Sequence, residues 1–290
     1  MKTKNLLIRV AFALSVSSAM AQNNISVSAP ITSELMSKQA PQALASVFQI
    51  INGGAGKTGT GFLHESGKVI TAAHVLAPEG ANGSNPAPWN TTNLFIRLPT
   101  GESIPVSEFR VNIDWDLALL TPVTKIPGPS LIISKTNSIP LGTQVSTWGF
   151  PAGYANLVPL LTLGYVAGID VVASASGQPV QRFVINAAFN SGNSGGPLIS
   201  MVDGSVIGVV SSKLAPVPQH IIDILNLLSN SQSGVAYAFK RPDGQEVMIT
   251  EGRFTAEVLT YLRSQTQLVI GHAVSTGQLM IFLNETEKKN

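Results

Sequence analysis

Short apolar runs broken by turn residues set the pattern of this chain. Val47–Ile51, Gly61–Leu63, Val69–Thr71, Leu94–Leu98 and Leu117–Leu120 read as strands in the first half. Gln144–Trp148, Leu161–Ile169, Val180–Ala187, Leu198–Met201 and Val206–Ser211 continue the habit in the second. β-Branched and aromatic residues bounded by Gly, Pro, Asn and Ser fit pleated, half-buried strands. Ala77–Asn93 is a long loop rich in Pro, Asn and Gly, and Ile126–Ser130 reads as a crossover connection. The period changes late. Ile221, Ile222, Leu225 and Leu228 share one helical face within Pro218–Leu228, and Ala256, Leu259 and Leu262 do so within Thr255–Ser264. Val235–Phe239 reads as a closing strand, Leu268–Ile270 and Leu279–Leu283 as additional strands, and Asn284–Asn290 as a polar tail. The expected fold class is all-β, with helices confined to the end.

Composition narrows this further. Among 290 residues, 44% are hydrophobic and 12% charged, so a large core can be filled. Glycine (26) and proline (18) favour a barrel or sandwich over a helical bundle. A net charge of +2 without a basic run gives no footprint for nucleic acid. The lack of cysteine excludes thiol proteases, cysteine-based zinc sites and disulfide scaffolds. Lys2, Lys4 and Arg9, the apolar stretch Val10–Ser18 and the small residues of Ala19-Met20-Ala21 form a signal-peptide pattern over residues 1–21. That apolar stretch falls short of the ~20 residues that span a bilayer. Export, with a mature chain starting near Gln22 and no membrane anchor left on it, is expected. Residues 22–40 are polar and read as a propeptide or flexible arm.

The chemistry concentrates in Asn190-Ser191-Gly192-Asn193-Ser194-Gly195-Gly196-Pro197-Leu198-Ile199. A serine among glycines can project its hydroxyl into a cleft while backbone N–H groups approach a substrate closely. The bland alternative is a Gly-Ser turn between strands. Gly192–Gly196 also satisfies G-x-S-x-G, the nucleophile elbow of α/β-hydrolases, for which Ser194, Asp243 and His272 could supply the triad. The strand-like Pro197-Leu198-Ile199 that follows speaks against that esterase reading. The glycine-rich Asn52–Gly59 is not a phosphate loop, because Ile51 stands where its first glycine is needed. Of the four histidines, His64 reads as part of an exposed hairpin turn and His220 as a helix start.

Gly59-Thr60-Gly61-Phe62-Leu63, Thr71-Ala72-Ala73-His74, Asp116-Leu117-Ala118-Leu119-Leu120 and Gly192-Asn193-Ser194-Gly195-Gly196-Pro197-Leu198 lie in the order His, Asp, Ser. These blocks resemble the trypsin-like serine peptidases over roughly residues 41–240, and look closest to the cysteine-free bacterial branch that includes the high-temperature-requirement proteases. The resemblance implies two six-stranded antiparallel β-barrels of the chymotrypsin type, about 41–125 and 139–240, with the active site between them. Residues 241–290 are then a short C-terminal, partly helical extension, too short for a PDZ domain. It also implies Ser194 as nucleophile, His74 as its base and Asp116 as the group that orients the imidazole. Asp114, which on a strand would face the same side as Asp116, is placed in solvent. The backbone N–H groups of Gly192 and Ser194 are the implied oxyanion donors. By the same resemblance Ser211 is the serine expected to support the aspartate, and the Ser211–Lys213 backbone, with Ser212 between, is expected to pair with an extended substrate. Ala188 lies at the base of the pocket for the residue before the cut, near Val210 and Lys213, which implies a small or medium apolar preference. Asn193 replaces an aspartate that in many relatives pairs with a newly cut N-terminus. Val75 stands where animal relatives carry a disulfide cysteine, so packing must hold the histidine loop.

The expected function is a serine endopeptidase acting on proteins or peptides in the periplasm or outside the cell, with no cofactor and no metal. The alternative is a catalytically silent binding protein or chaperone on the same fold. The long segment 215–233 is expected to be a helix, either packed on the second barrel or closing over the cleft as a lid.

Overall fold

The computed structural model describes residues 34–77, 91–136, 138–154, 157–174, 176–213, 219–232, 234–240, 244–265 and 269–287. The signal-peptide segment, most of the proposed arm, most of the loop after His74 and Asp243 lie outside the described residues.

Helix α1 (Glu34–Ser46) leads into the first barrel. That barrel contains β1 (Val47–Asn52), β2 (Lys57–Leu63), β3 (Val69–Thr71), β4 (Leu94–Arg97), β5 (Ser103–Asn112) and β6 (Leu117–Pro122). It closes in the order β1-β2-β3-β6-β5-β4. Phe48, Ile50, Val69, Leu94, Ile96, Ile104 and Leu120 point inward and fill it. Strand β5 is the one that the apolar pattern misses. It alternates around Pro105, carries Glu108 and Arg110, and shifts register between Val106 and Glu108. A bulged, half-exposed strand does not stand out as an apolar run.

The second barrel contains β7 (Gln144–Gly149), β8 (Leu160–Ala173), β9 (Pro179–Ile185), β10 (Pro197–Ser200) and β11 (Val206–Lys213). Its sixth strand is β14 (Gly271–Ser275), which pairs antiparallel with both β11 and β9. The two closed six-stranded antiparallel barrels match the expected fold class. The expected closing strand does not. β12 (Ala236–Lys240) pairs with β13 (Glu246–Thr250) in a separate hairpin. The second barrel therefore runs past residue 240. Leu279–Leu283, expected as a strand, lies in helix α5 (Thr276–Glu287). The reason is packing. Leu279, Phe282 and Leu283 lie at helical spacing, and all three turn into one core.

That core joins the barrels. It contains Phe62, Ile70, Leu117 and Leu119 from the first barrel and Trp148, Phe150, Ile199, Val209 and Val274 from the second. Leu279, Phe282 and Leu283 of α5 and Ala43 of α1 complete it. Arg110 ties α5 to the first barrel. Its guanidinium lies 4.7 Å from the centre of the Phe282 ring and 2.9 Å from the Glu285 carboxylate. Residues 271–287 are thus part of the double-barrel unit rather than an extension of it.

Between β11 and β14 the chain makes an excursion. Helix α3 (Gln219–Asn230) packs on α4 (Glu251–Gln265), next to the β12–β13 hairpin. Ile249 and Ala256 are buried there, and Tyr237 and Phe254 meet with ring centres 6.2 Å apart. Lys213 and Gly271, the two stems of the excursion, are paired neighbours across β11 and β14. Helix α3 forms as its periodicity requires, and its partner is α4.

Candidate active site

His74 sits on α2 (Ala73–Leu76), a single helical turn after β3. Val75 and Leu76 anchor that turn in the first barrel's core, 2% and 5% exposed. The Asn52 side-chain amide donates to the carbonyls of Val75 (3.2 Å) and Leu76 (3.0 Å), and the Lys57 ammonium to that of Ala77 (3.0 Å). These bonds satisfy carbonyls that a short helix leaves without partners. Packing and Asn52 together hold the histidine turn without a disulfide. Sequence reasoning missed Asn52, which looked like part of a glycine-rich turn.

Asp116 closes the turn 113–116 before β6. It adopts φ +56°, a region that aspartate tolerates better than most residues. Its carboxylate meets three donor groups. The His74 amide donates to Oδ1 (2.9 Å), His74 Nδ1 lies 2.9 Å from Oδ2, and Ser211 Oγ donates to Oδ2 (2.5 Å). Two bonds to one histidine fix both the position of the loop and the plane of its ring. With Nδ1 held against the carboxylate, Nε2 is the ring nitrogen on the opposite side from Asp116. Asp114 lies in the same turn, half-buried, rather than on a strand or in full solvent.

Ser194 follows Gly192, whose φ is +94°, and precedes Gly195, whose φ is +87°. Both glycines are required. A Cβ on Gly192 would lie 2.2 Å from the Phe150 carbonyl oxygen, and one on Gly195 would lie 2.1 Å from that of Thr60. Ser194 Oγ donates to the Ser211 carbonyl at 3.0 Å, so Ser211 touches both the aspartate and the serine. The surrounding peptides are pinned. The Ser191 carbonyl accepts from Ala152 N–H (2.7 Å) and the Asn193 carbonyl from Gly196 N–H (3.0 Å). In a planar trans peptide the N–H points opposite to the carbonyl. The Gly192 and Ser194 amides therefore face away from these anchors, and neither finds an acceptor among the described residues.

The structure brings the other expected residues around this point. Val210 is buried, and both of its backbone groups bond to the serine loop, through Gly195 and Gly196. β10 pairs with β11 only as far as Val209, whereas β14 follows it to Lys213. One edge of Ser211–Lys213 thus stays unpaired among the described residues. Ala188 is half-buried beside the serine loop. Next to it, Phe189 is 2% exposed and its ring covers Gly271, where a Cβ would fall 2.1 Å from a ring carbon. Sequence reasoning did not assign Gly271 to the site, nor see that it meets Phe189. They are distant along the chain, and the pairing of Gly271 with Ile185 on β9 and with Lys213 on β11 brings them together.

The remaining histidines lie elsewhere. His64 occupies the β2–β3 turn with Ser66, as expected, and His220 is exposed at the start of α3. His272 lies buried on β14. Strand β10, not a helix, follows Ser194, which removes the structural basis of the α/β-hydrolase elbow.

A family model described as a trypsin-like peptidase domain matches residues 59–209. The chain is 31% identical over 160 residues to the bovine mitochondrial serine protease HTRA2, a match covering 54% of this chain and 31% of that protein. It is 27% identical over 238 residues to the Drosophila virilis protein of the same name, covering 77% of this chain and 53% of that one. The chain thus spans about a third to about a half of these relatives' length. Among solved structures, the HtrA-type protease AlgW with tripeptide superposes with a TM-score of 0.53 at 16% identity, over 86% of this chain and 62% of that one. The active form of the Rv3671c protease from M. tuberculosis superposes with a TM-score of 0.50 at 22% identity, over 69% and 84%.

Proposed function

The chain belongs to the trypsin-like peptidase family, and on that premise we propose that it is a serine endopeptidase that works through His74, Asp116 and Ser194. The observation that carries this reading is the Asp116 carboxylate, which binds the His74 ring and backbone together with Ser211, itself in contact with Ser194. In the reaction, Ser194 Oγ turns from the Ser211 carbonyl toward His74 Nε2. It gives up its proton there and attacks the scissile carbonyl. The Gly192 and Ser194 amides receive the oxyanion. His74 returns the proton to the leaving amine, and water then cleaves the acyl-enzyme by the same route. Asp116 stabilises the imidazolium in each half.

The open edge of Ser211–Lys213 suits an extended peptide added as a further strand. The residue before the cut then points between Ala188 and Ser211–Lys213, toward a floor of Phe189, Val210 and Gly271. That floor carries no charge, and the Phe189 ring takes up the space over Gly271. Both features support a preference for small or medium apolar residues. Protein or peptide substrates outside the cytoplasm fit the export pattern of residues 1–21, and periplasmic or secreted location is part of the proposal.

The test is hydrolysis of unfolded casein and of a peptide library by mature protein. Ser194→Ala and His74→Ala should each lower kcat by several orders of magnitude, and the double variant should lose little more. Near-normal turnover by Ser194→Ala would refute the mechanism. Binding without any turnover by the wild type would favour the silent-chaperone alternative. A library profile led by Arg, Lys or Glu would refute the pocket.

A further inference from the structure

We propose that Thr60, on β2 of the first barrel, is a positioning residue that holds the oxyanion-binding loop of the second barrel in its working shape. This rests on the reading of the Gly192 and Ser194 amides as oxyanion donors.

Thr60 is 0% exposed and has every polar atom engaged. Its hydroxyl donates to the Gly192 carbonyl at 2.6 Å and accepts from the Phe150 amide at 3.1 Å. Its own amide donates to the Ser194 carbonyl at 2.8 Å, and its carbonyl accepts from the Thr71 hydroxyl at 2.6 Å. One side chain of the first barrel thus grips both segments that frame the oxyanion site, 149–152 and 191–194.

The grip falls at the loop's softest residue. Glycine rotates more freely than any other residue, and Gly192 sits at φ +94° between the two donor amides. The peptide before it is held by Ala152 N–H on the Ser191 carbonyl. The peptide after it is held at its carbonyl by Thr60 Oγ1 and at its amide by the Asn190 carbonyl, 3.0 Å from Asn193 N. Without the hydroxyl, the Gly192 carbonyl and the Phe150 amide both lose a partner inside the protein. The peptide after Gly192 then keeps only its bond to Asn190, and the Phe150–Ala152 segment, which aims the Gly192 amide through the Ser191 carbonyl, loses its own anchor at the Phe150 amide. Preorganised donors are effective because they need no reorganisation during reaction. Losing their alignment costs rate and leaves substrate binding along Ser211–Lys213 intact.

The test compares Thr60→Val, which keeps the shape without the hydroxyl, with Thr60→Ser, which keeps the hydroxyl. Thr60→Val should lower kcat by about 10²–10³-fold, the size seen when one oxyanion donor is lost, with KM nearly unchanged. Thr60→Ser should restore most of the rate. A peptide boronate, whose tetrahedral adduct occupies the same site, should bind Thr60→Val more weakly by a similar factor. Should the valine variant not fold, Thr60→Cys, with its weaker donor, should fall clearly below Thr60→Ser by the same readouts. Failure of a fluorophosphonate to label Ser194 in the wild type would defeat the functional reading itself. Normal wild-type labelling with unchanged kcat in Thr60→Val, equal loss in the valine and serine variants, or undiminished boronate affinity would overturn the role of Thr60.

Discussion

Phe282→Ala tests whether the C-terminal helix is part of the double-barrel core. Phe282 is 0% exposed, at the centre of the cluster that joins the barrels. Removing a buried phenylalanine costs about 3–5 kcal/mol through lost burial and the cavity left behind. The Arg110 guanidinium 4.7 Å from its ring adds about 0.5–1 kcal/mol, kept small because the arginine side chain is 30% exposed. A loss of roughly 4 kcal/mol is a large share of the ~5–15 kcal/mol typical of a folded protein. It corresponds to a Tm lower by about 8–16 °C, at roughly 2–4 °C per kcal/mol for a chain of this class. Ile281, the preceding residue, is 49% exposed, and its alanine variant should stay within about 0.5–1 kcal/mol of wild type. Urea unfolding in a Ser194→Ala background, chosen to prevent self-cleavage, gives both numbers. Trp115 and Trp148 both pack at this cluster and provide the fluorescence signal. Equal effects of the two substitutions, or a loss below about 1 kcal/mol for Phe282→Ala, would refute the role assigned to α5.

Three further outcomes are expected. Gly195→Ala should abolish turnover and destabilise the protein by more than about 1–3 kcal/mol, because strain at φ +87° adds to a Cβ 2.1 Å from the Thr60 carbonyl oxygen; a folded, active variant would contradict the packing. Burial, and then the nearby Arg182 charge, hold the His272 pKa below its ordinary 6.5, with Asp170 opposing in part. Below that pH the unfolded chain takes up the proton first, so stability is full above about pH 6.5 and falls until the folded-state pKa is passed. His272→Gln should remove that slope, and a wild-type-to-variant difference that stays constant between pH 7.5 and 5 would refute it. Replacing residues 214–270 by a short turn from Lys213 to Gly271 should leave the barrels folded and small-peptide turnover intact, since the two stems are already paired. Loss of cooperative unfolding would show that the excursion is structural, and faster cleavage of large proteins would show that it acts as a lid.

The sequence alone determined an all-β chain of many short strands, and through its resemblance to the trypsin-like peptidases it implied the double barrel and the residues proposed to carry the chemistry. Short β-branched runs between turns fit a barrel or a sandwich, and the settings of His74, Asp116 and Ser194 are local enough to read from a few neighbours. The tertiary structure decided what depends on distant pairing. Gly271–Ser275 is too short and too polar to signal a strand, yet two neighbouring strands supply its partners and make it the closure of the second barrel. Val235–Phe239 has the stronger strand pattern but pairs locally, in a hairpin that the barrel does not use. Leu279–Leu283 becomes helical because three of its side chains find one core. Asn52 looks ordinary in the sequence, and the neighbours of Thr60 and Phe189 do not show what those two residues touch. They matter only because carbonyls, amides and a glycine from elsewhere in the chain are brought within reach of their side chains, and local periodicity holds no record of those contacts.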